Sequence, residues 1–138
     1  MKKIIFILAV AFTLQLSAQD KANWITDYKT ALSQSETQNK PILAFITDNK
    51  KTEASKLLST EFFSSEAFKS IASKVVLLKL DISNKQSYNV RLGIHYLNKP
   101  SAPGLALVSE FSDRIGDPLT EINTENIKTF ISLVNSKI

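Results

Sequence analysis

The sequence contains no cysteine. That excludes a disulfide, a thiolate metal site, thiol redox chemistry and lipid attachment at a lipobox cysteine in this chain. Histidine is nearly as scarce, His95 being the only one. No recognisable motif places a serine or an acid beside it, and a lone histidine lacks companions at ligand spacing. General-base and metal roles therefore find no support, and His95 reads as a surface loop residue. Long hydrophobic runs are missing as well. The apolar stretch IIFILAVAFTL, residues 4–14, is shorter than the ~20 residues that a membrane-spanning helix needs. Internal repeats and low-complexity segments are also absent.

What is present suits one folded domain. The chain has 138 residues, too few for two comfortable cores. Hydrophobic residues make up 43% and charged residues 22%, which is globular and unlike a disordered composition. Met1-Lys2-Lys3 forms a basic n-region, residues 4–14 an apolar h-region, and QLSAQ supplies small residues near a cleavage point. That layout predicts a secretory signal peptide over residues 1–18, cut after Ala18, and a single domain over 19–138. An uncleaved anchor is the weaker alternative. Losing Lys2 and Lys3 takes the formal net charge from +4 to +2. The basic balance is thus largely a targeting feature, and a nucleic-acid partner is not expected. The expected destination is the periplasm or the exterior of a bacterial cell. At roughly 120 residues the exported domain stands on its core without a disulfide staple.

Along the chain, Trp24 and Ile25 read as buried anchors. Thr26 is the expected N-cap of a helix through DYKTALSQSETQN, with Asp27 in its first turn, and Asn39-Lys40-Pro41 ends it. Ile42 to Ile46 reads as a buried strand. KTEASKLLSTEFF predicts a helix with Ala54, Leu57, Leu58 and Phe62 on one face. After a break at Ser64-Ser65, SEAFKSIAS continues as helix with Phe68, Ile71 and Ala72 inward. VVLLKLD, residues 75–81, has the continuous apolar character of a central, doubly covered strand. Asn84 is expected to start a short helix reaching Leu92, closed by Gly93, with HYLNKPSAPG as a loop. Leu105 to Val108 is a third strand, and residues 109–118 form a turn and a weaker edge strand. Thr124 is expected to cap a last helix, with Ile127, Phe130, Ile131 and Val134 as its apolar stripe. Tyr88, Tyr96 and Phe111 read either as core or as an aromatic binding patch. The alternation of helices and strands predicts an α/β layered domain.

Four features then resemble the thioredoxin-like superfamily, nearest to small exported bacterial proteins related to thiol–disulfide interchange proteins. They are NWITDYKTALSQSETQNKPILAFIT, KLLSTEFFSSEAFKSIASKVVLLKLDI, RLGI, and Ala102-Pro103 just before LALV. Their order spans roughly residues 24–134. The resemblance implies a three-layer sandwich with a central mixed sheet flanked by helices. It also implies a cis-proline at Pro103, in a loop that in the family pairs with a substrate's extended backbone. The family's Trp-Cys-x-x-Cys falls on KTEAS. Lys51 takes the tryptophan position, Thr52 and Ser55 take the cysteine positions, and Glu53 and Ala54 lie between. The link from Ile94 to Pro103, HYLNKPSA, is longer than the family's. Gly104 stands where a threonine is common.

Disulfide exchange needs a thiolate and passes through a mixed disulfide; the hydroxyls of Thr52 and Ser55 cannot form one. Two readings of the site remain. A strand running into a helix start keeps free N–H groups, and Lys50 and Lys51 add positive charge, which suits an anion, a carboxylate or a docking partner backbone. Alternatively, Thr52 is an N-cap, Glu53 suits the helix dipole and the lysines are solvated. The resulting expectation is a non-catalytic exported domain. It would bind an envelope protein or extended peptide through a groove formed by Lys50, Lys51, Thr52, Glu53, Ser55, Ala102 and Pro103, with no cofactor and no metal. The alternatives are a glutathione-type transferase using Thr52 or Ser55, and a structural domain whose old site has decayed.

Overall fold

ILAFIT, residues 42–47, is apolar up to its last residue, and that pattern marks a strand covered on both faces. It forms β1 (Ile42–Thr47), the middle strand of the sheet. The computed structural model describes residues 23–138; the expected signal peptide, its cleavage point and the domain start at residue 19 lie outside them. β1 pairs in parallel with β2 (Val76–Asp81), Ile42 facing Val76. It pairs antiparallel with β3 (Gly104–Val108), Ile42 facing Val108 and Ile46 facing Gly104. The sheet is therefore mixed, in the order β2-β1-β3.

β1 holds the central place, and VVLLKLD, expected to be central as well, lies beside it at the outside of the three strands. Among the described residues β2 meets only Ile25 on its outer side, which donates to Leu77 O and accepts from Lys79 N–H, both at 2.8 Å. β2 is nonetheless apolar at four of its six positions, with Lys79 and Asp81 the exceptions, because helices cover both of its faces. The expected edge strand after β3 is present only as bridges, Arg114 to Val108 and Leu119 to Leu105.

Among the described residues five α-helices pack on the two faces. On one side lie α1 (Tyr28–Gln38) and α4 (Tyr88–Leu97), contributing Ala31, Leu92, Tyr96 and Leu97 to a core with Ile42, Ala44, Ile46, Leu78 and Leu80. On the other lie α2 (Glu53–Leu57), α3 (Glu66–Ala72) and α5 (Thr124–Lys137). There Phe68, Ile71, Ile127, Phe130 and Val134 pack on Leu43, Leu77 and Leu107. The strand period of two sends alternate residues to opposite cores.

Helix ends show where local chemistry outweighs pattern. α1 is capped by Asp27 rather than Thr26, because the Asp27 carboxylate accepts from both Thr30 N–H at 3.0 Å and the Thr30 hydroxyl at 2.6 Å. Asn123, not Thr124, caps α5, accepting from Asn126 N–H at 2.7 Å. α4 starts at the Ser87 cap and runs through Gly93 to an Asn98 cap at φ 59°. Gly93 is there for close approach: a Cβ would lie 3.2 Å from Ile46 Cγ2. His95 and Tyr96 are consequently helical, with His95 exposed and Tyr96 fully buried. KTEASKLLSTEFF is not one α-helix either. α2 passes at Leu58 into a π-helical turn, Leu58–Phe63, and the Ser64 hydroxyl donates to Ser59 O, five residues back. Trp24 is half-buried against Phe45, Phe63 and Phe68. Of the three candidate patch aromatics only Tyr96 is core; Tyr88 is 61% exposed and Phe111 77%.

Candidate functional site

The junction from β1 to α2 is held from below. Thr47, 7% exposed, accepts Asn49 N–H on its hydroxyl at 3.0 Å. Its carbonyl accepts Ile82 N–H at 2.8 Å. Asn49 takes the left-handed conformation, φ 63°, which asparagine tolerates better than most residues. Its side-chain amide donates to Asp81 Oδ2 at 2.8 Å. Asp81 also accepts Ser83 N–H at 2.9 Å. The Ser83 bonds are the main cause that holds its carboxyl below the ordinary value of 3.8, with smaller help from Asn49 and Lys79. Asp48 accepts Lys50 N–H at 3.1 Å and closes the turn. Thr47, Asn49 and Asp81 were not among the expected site residues. The only signal in the sequence was the Asp-Asn turn dipeptide.

Thr52 follows in extended conformation, φ −118° and ψ 168°, and caps α2. Its hydroxyl accepts Ser55 N–H at 3.1 Å, while the Ser55 hydroxyl accepts Thr52 N–H at 2.8 Å. The Ser55 proton goes to Thr52 O at 2.9 Å. This is a reciprocal capping box closed with serine at its third position. The two positions that match the family's cysteines are thus tied to each other's backbone. No base among these partners activates either hydroxyl.

Lys51, Thr52, Glu53 and Ser55 come together with Lys56 and Ser59 around an open depression of about 560 Å³. Lys50 is exposed beside it and does not line it. Glu53 lies in the first turn of α2 and Lys56 in the last, signs that match the helix dipole. Ala102 and Pro103 do not line the depression. Both are half-buried, Ala102 packs against the α1–α4 core, and the bond between them is cis. Register relates the two groups. Ile46 faces Gly104, so residues 47–55 leave β1 at the end of the sheet where Pro103 delivers the chain into β3.

The long link before Pro103 extends α4 by a turn and ends in the polar stretch 98–101. Leu97, buried at the end of that turn, explains Gly104. A Cβ at 104 would lie 2.6 Å from Leu97 Cδ1 and 3.0 Å from Leu119 O. Among the described residues no group of three histidine, aspartate or glutamate side chains is placed to hold a metal.

The mixed sheet, its helical layers and the strand-to-helix junction define a thioredoxin-type α/β domain with hydroxyls at its cysteine positions. The chain belongs to the thioredoxin-like family, whose model matches residues 23–108. Its fold is similar to a thioredoxin from Thermus thermophilus, at 13% identity, TM-score 0.64, and coverage of 83% of this chain and 87% of that one. It is also similar to the DsbH oxidoreductase, at 18% identity, TM-score 0.62, and coverage of 82% and 84%. A third is the C-terminal domain of Neisseria meningitidis DsbD in its oxidised form, at 14% identity, TM-score 0.62, and coverage of 83% and 99%. At these identities the likeness is one of fold. Curated protein sequences give no match.

Proposed function

We propose that the protein is an exported, non-catalytic thioredoxin-like domain that binds an extended peptide or protein segment between residues 50–55 and the Ala102–Pro103 loop. The observation that carries this reading is the Thr52–Ser55 capping box. It occupies both hydroxyls structurally, and a chain without cysteine has no route to a mixed disulfide. What the site keeps is an ordered, exposed surface with Lys50, Lys51 and Lys56, beside a loop leaving the same end of the sheet. Main-chain pairing gives affinity to such surfaces without covalent chemistry. Export rests on the basic, apolar and small-residue order of residues 1–18. Among the described residues no helix is long and apolar enough to cross a membrane.

Photo-crosslinkers placed singly at Lys51, at Ala102 and, as a control, at Lys128 test the reading in envelope extract. One partner captured from both Lys51 and Ala102, absent at Lys128 and lost on Lys50→Glu with Lys56→Glu, is the expected result. Capture that ignores the charge reversal, or none at either position, favours the rival reading of a structural domain with a decayed site.

A further inference from the structure

Among the described residues, the segment that follows β3 has no backbone partner on its outer side. Leu119 exchanges both backbone bonds with Leu105, at 3.0 and 2.8 Å, and Ile115 N–H donates to Leu107 O at 2.8 Å. Leu105 faces Leu119 while Val108 faces Arg114, so this segment holds two residues more than a regular ladder, around Gly116 and Asp117. Backbone groups alternate sides along an extended chain. With Leu119 turned to β3, Pro118 C=O and Thr120 N–H turn outward. Those are the two groups that one residue of an added parallel strand uses. Ile25 clasps β2 through the same kind of pair, donating to Leu77 O and accepting from Lys79 N–H. Pro118 has no N–H, so the edge offers this one clasp and little more.

Beside the clasp lies an open cleft of about 480 Å³ between this segment and α5. Its floor is apolar: Leu119 and Phe130 are buried, and Leu133 meets Gly116 so closely that a Cβ there would lie 2.7 Å away. Its charged lining is Asp117 and Glu121, with no lysine or arginine. Residues 115–127 carry no cation at all, in a chain whose net charge is +4. None of residues 50–55, 102 or 103 lines this cleft. Asp117 and Glu121 stand two residues to either side of Leu119, and all three line the cleft.

We propose that this edge is a second binding surface, which takes an extended peptide with an apolar residue flanked two positions away on each side by lysine or arginine. The apolar side chain covers Leu119 and Phe130, its backbone closes the clasp, and the cations meet Asp117 and Glu121. This is strand addition with charge-selected register.

The full chain, nitrogen-15 labelled, is titrated with two acetylated, amidated pentapeptides of equal composition and charge, Lys-Thr-Val-Thr-Lys and Thr-Lys-Val-Lys-Thr. The first puts its cations on the cleft face and the second turns them away. The expected result is amide shifts confined to residues 116–121 and 126–133, with the first peptide about tenfold tighter at low salt. Asp117→Asn with Glu121→Gln should remove that preference, and N-methylation of the central valine should abolish the shifts. Equal affinity of the two peptides overturns the proposal, as does silence at roughly millimolar peptide. So do shifts that fall on residues 47–56, which would belong to the other groove. Cleft shifts that follow protein concentration alone would put a second copy of the chain there and equally overturn it.

Discussion

Thr52 and Ser55 each serve a backbone group of the other, and this reciprocity gives the degenerate junction a measurable energetic role. Removing an N-cap hydroxyl usually costs about 1 kcal/mol. Thr52→Ala should lower the unfolding free energy by about that amount in urea melts, with Ser55→Ala costing less because the Thr52 cap survives in part. Two carboxylates set a pH limit at the same scale. Bonds from the Thr30 hydroxyl and N–H hold Asp27 below 3.8, and those of Ser83 chiefly do the same for Asp81. A lowered folded-state pKa means that the unfolded chain binds the proton more readily. The stability these groups contribute is present above 3.8 and is lost as the pH falls through their lowered values. Tm followed by circular dichroism should drop on acidification through that window, and Asp27→Asn with Asp81→Asn should flatten the drop. Thr52 as a cap was legible in the sequence from residue type and position, although the same signal at Thr26 and Thr124 missed the true caps by one residue. The tie from Asn49 to Asp81 was not, because it joins residues 32 positions apart.

At the scale of elements, apolar spacing located nearly every helix and strand but placed several ends wrongly. Gly93 reads as a stop signal only while the helix is considered alone. Against the sheet it becomes the residue that lets α4 approach Ile46, and the helix continues to Leu97. That continuation constrains Gly104. Gly104→Thr, which installs a residue common in the family, should destabilise the fold by about 1–3 kcal/mol through overpacking against Leu97. The same change in a Leu97→Ala background should be milder, and urea melts of the four proteins measure the coupling. The π-turn escaped notice for a related reason. Ala54, Leu57, Leu58 and Phe62 fit α spacing, and the wider turn leaves Phe62 buried while Phe63 reaches Trp24 and Phe45.

For the whole molecule, strand and helix alternation was enough to indicate an α/β sandwich, while the partition of side chains between its faces depends on packing. Tryptophan and most phenylalanines interlock on the α2–α3–α5 side. On the other side Tyr28 and Tyr96 converge on Ser112, at 3.0 and 2.7 Å. Burial is the main reason that the Tyr96 phenol is pushed up to about 12. Neither arrangement is visible in local sequence, because the partners lie 16 and 84 positions apart. Strand order was hidden in a similar way: β1 and β2 both read as buried strands, and the antiparallel return of β3 on β1 decides which is central.

Crosslinked capture at Lys51, compared between the wild type and Thr52→Ala with Ser55→Ala at a temperature where both are folded, tests most directly whether this junction binds without reacting. The account predicts the same partner in similar yield from both proteins, and loss of capture on Lys50→Glu with Lys56→Glu. A folded double-alanine variant that no longer captures the partner, or chemistry on the partner that needs either hydroxyl, would contradict it.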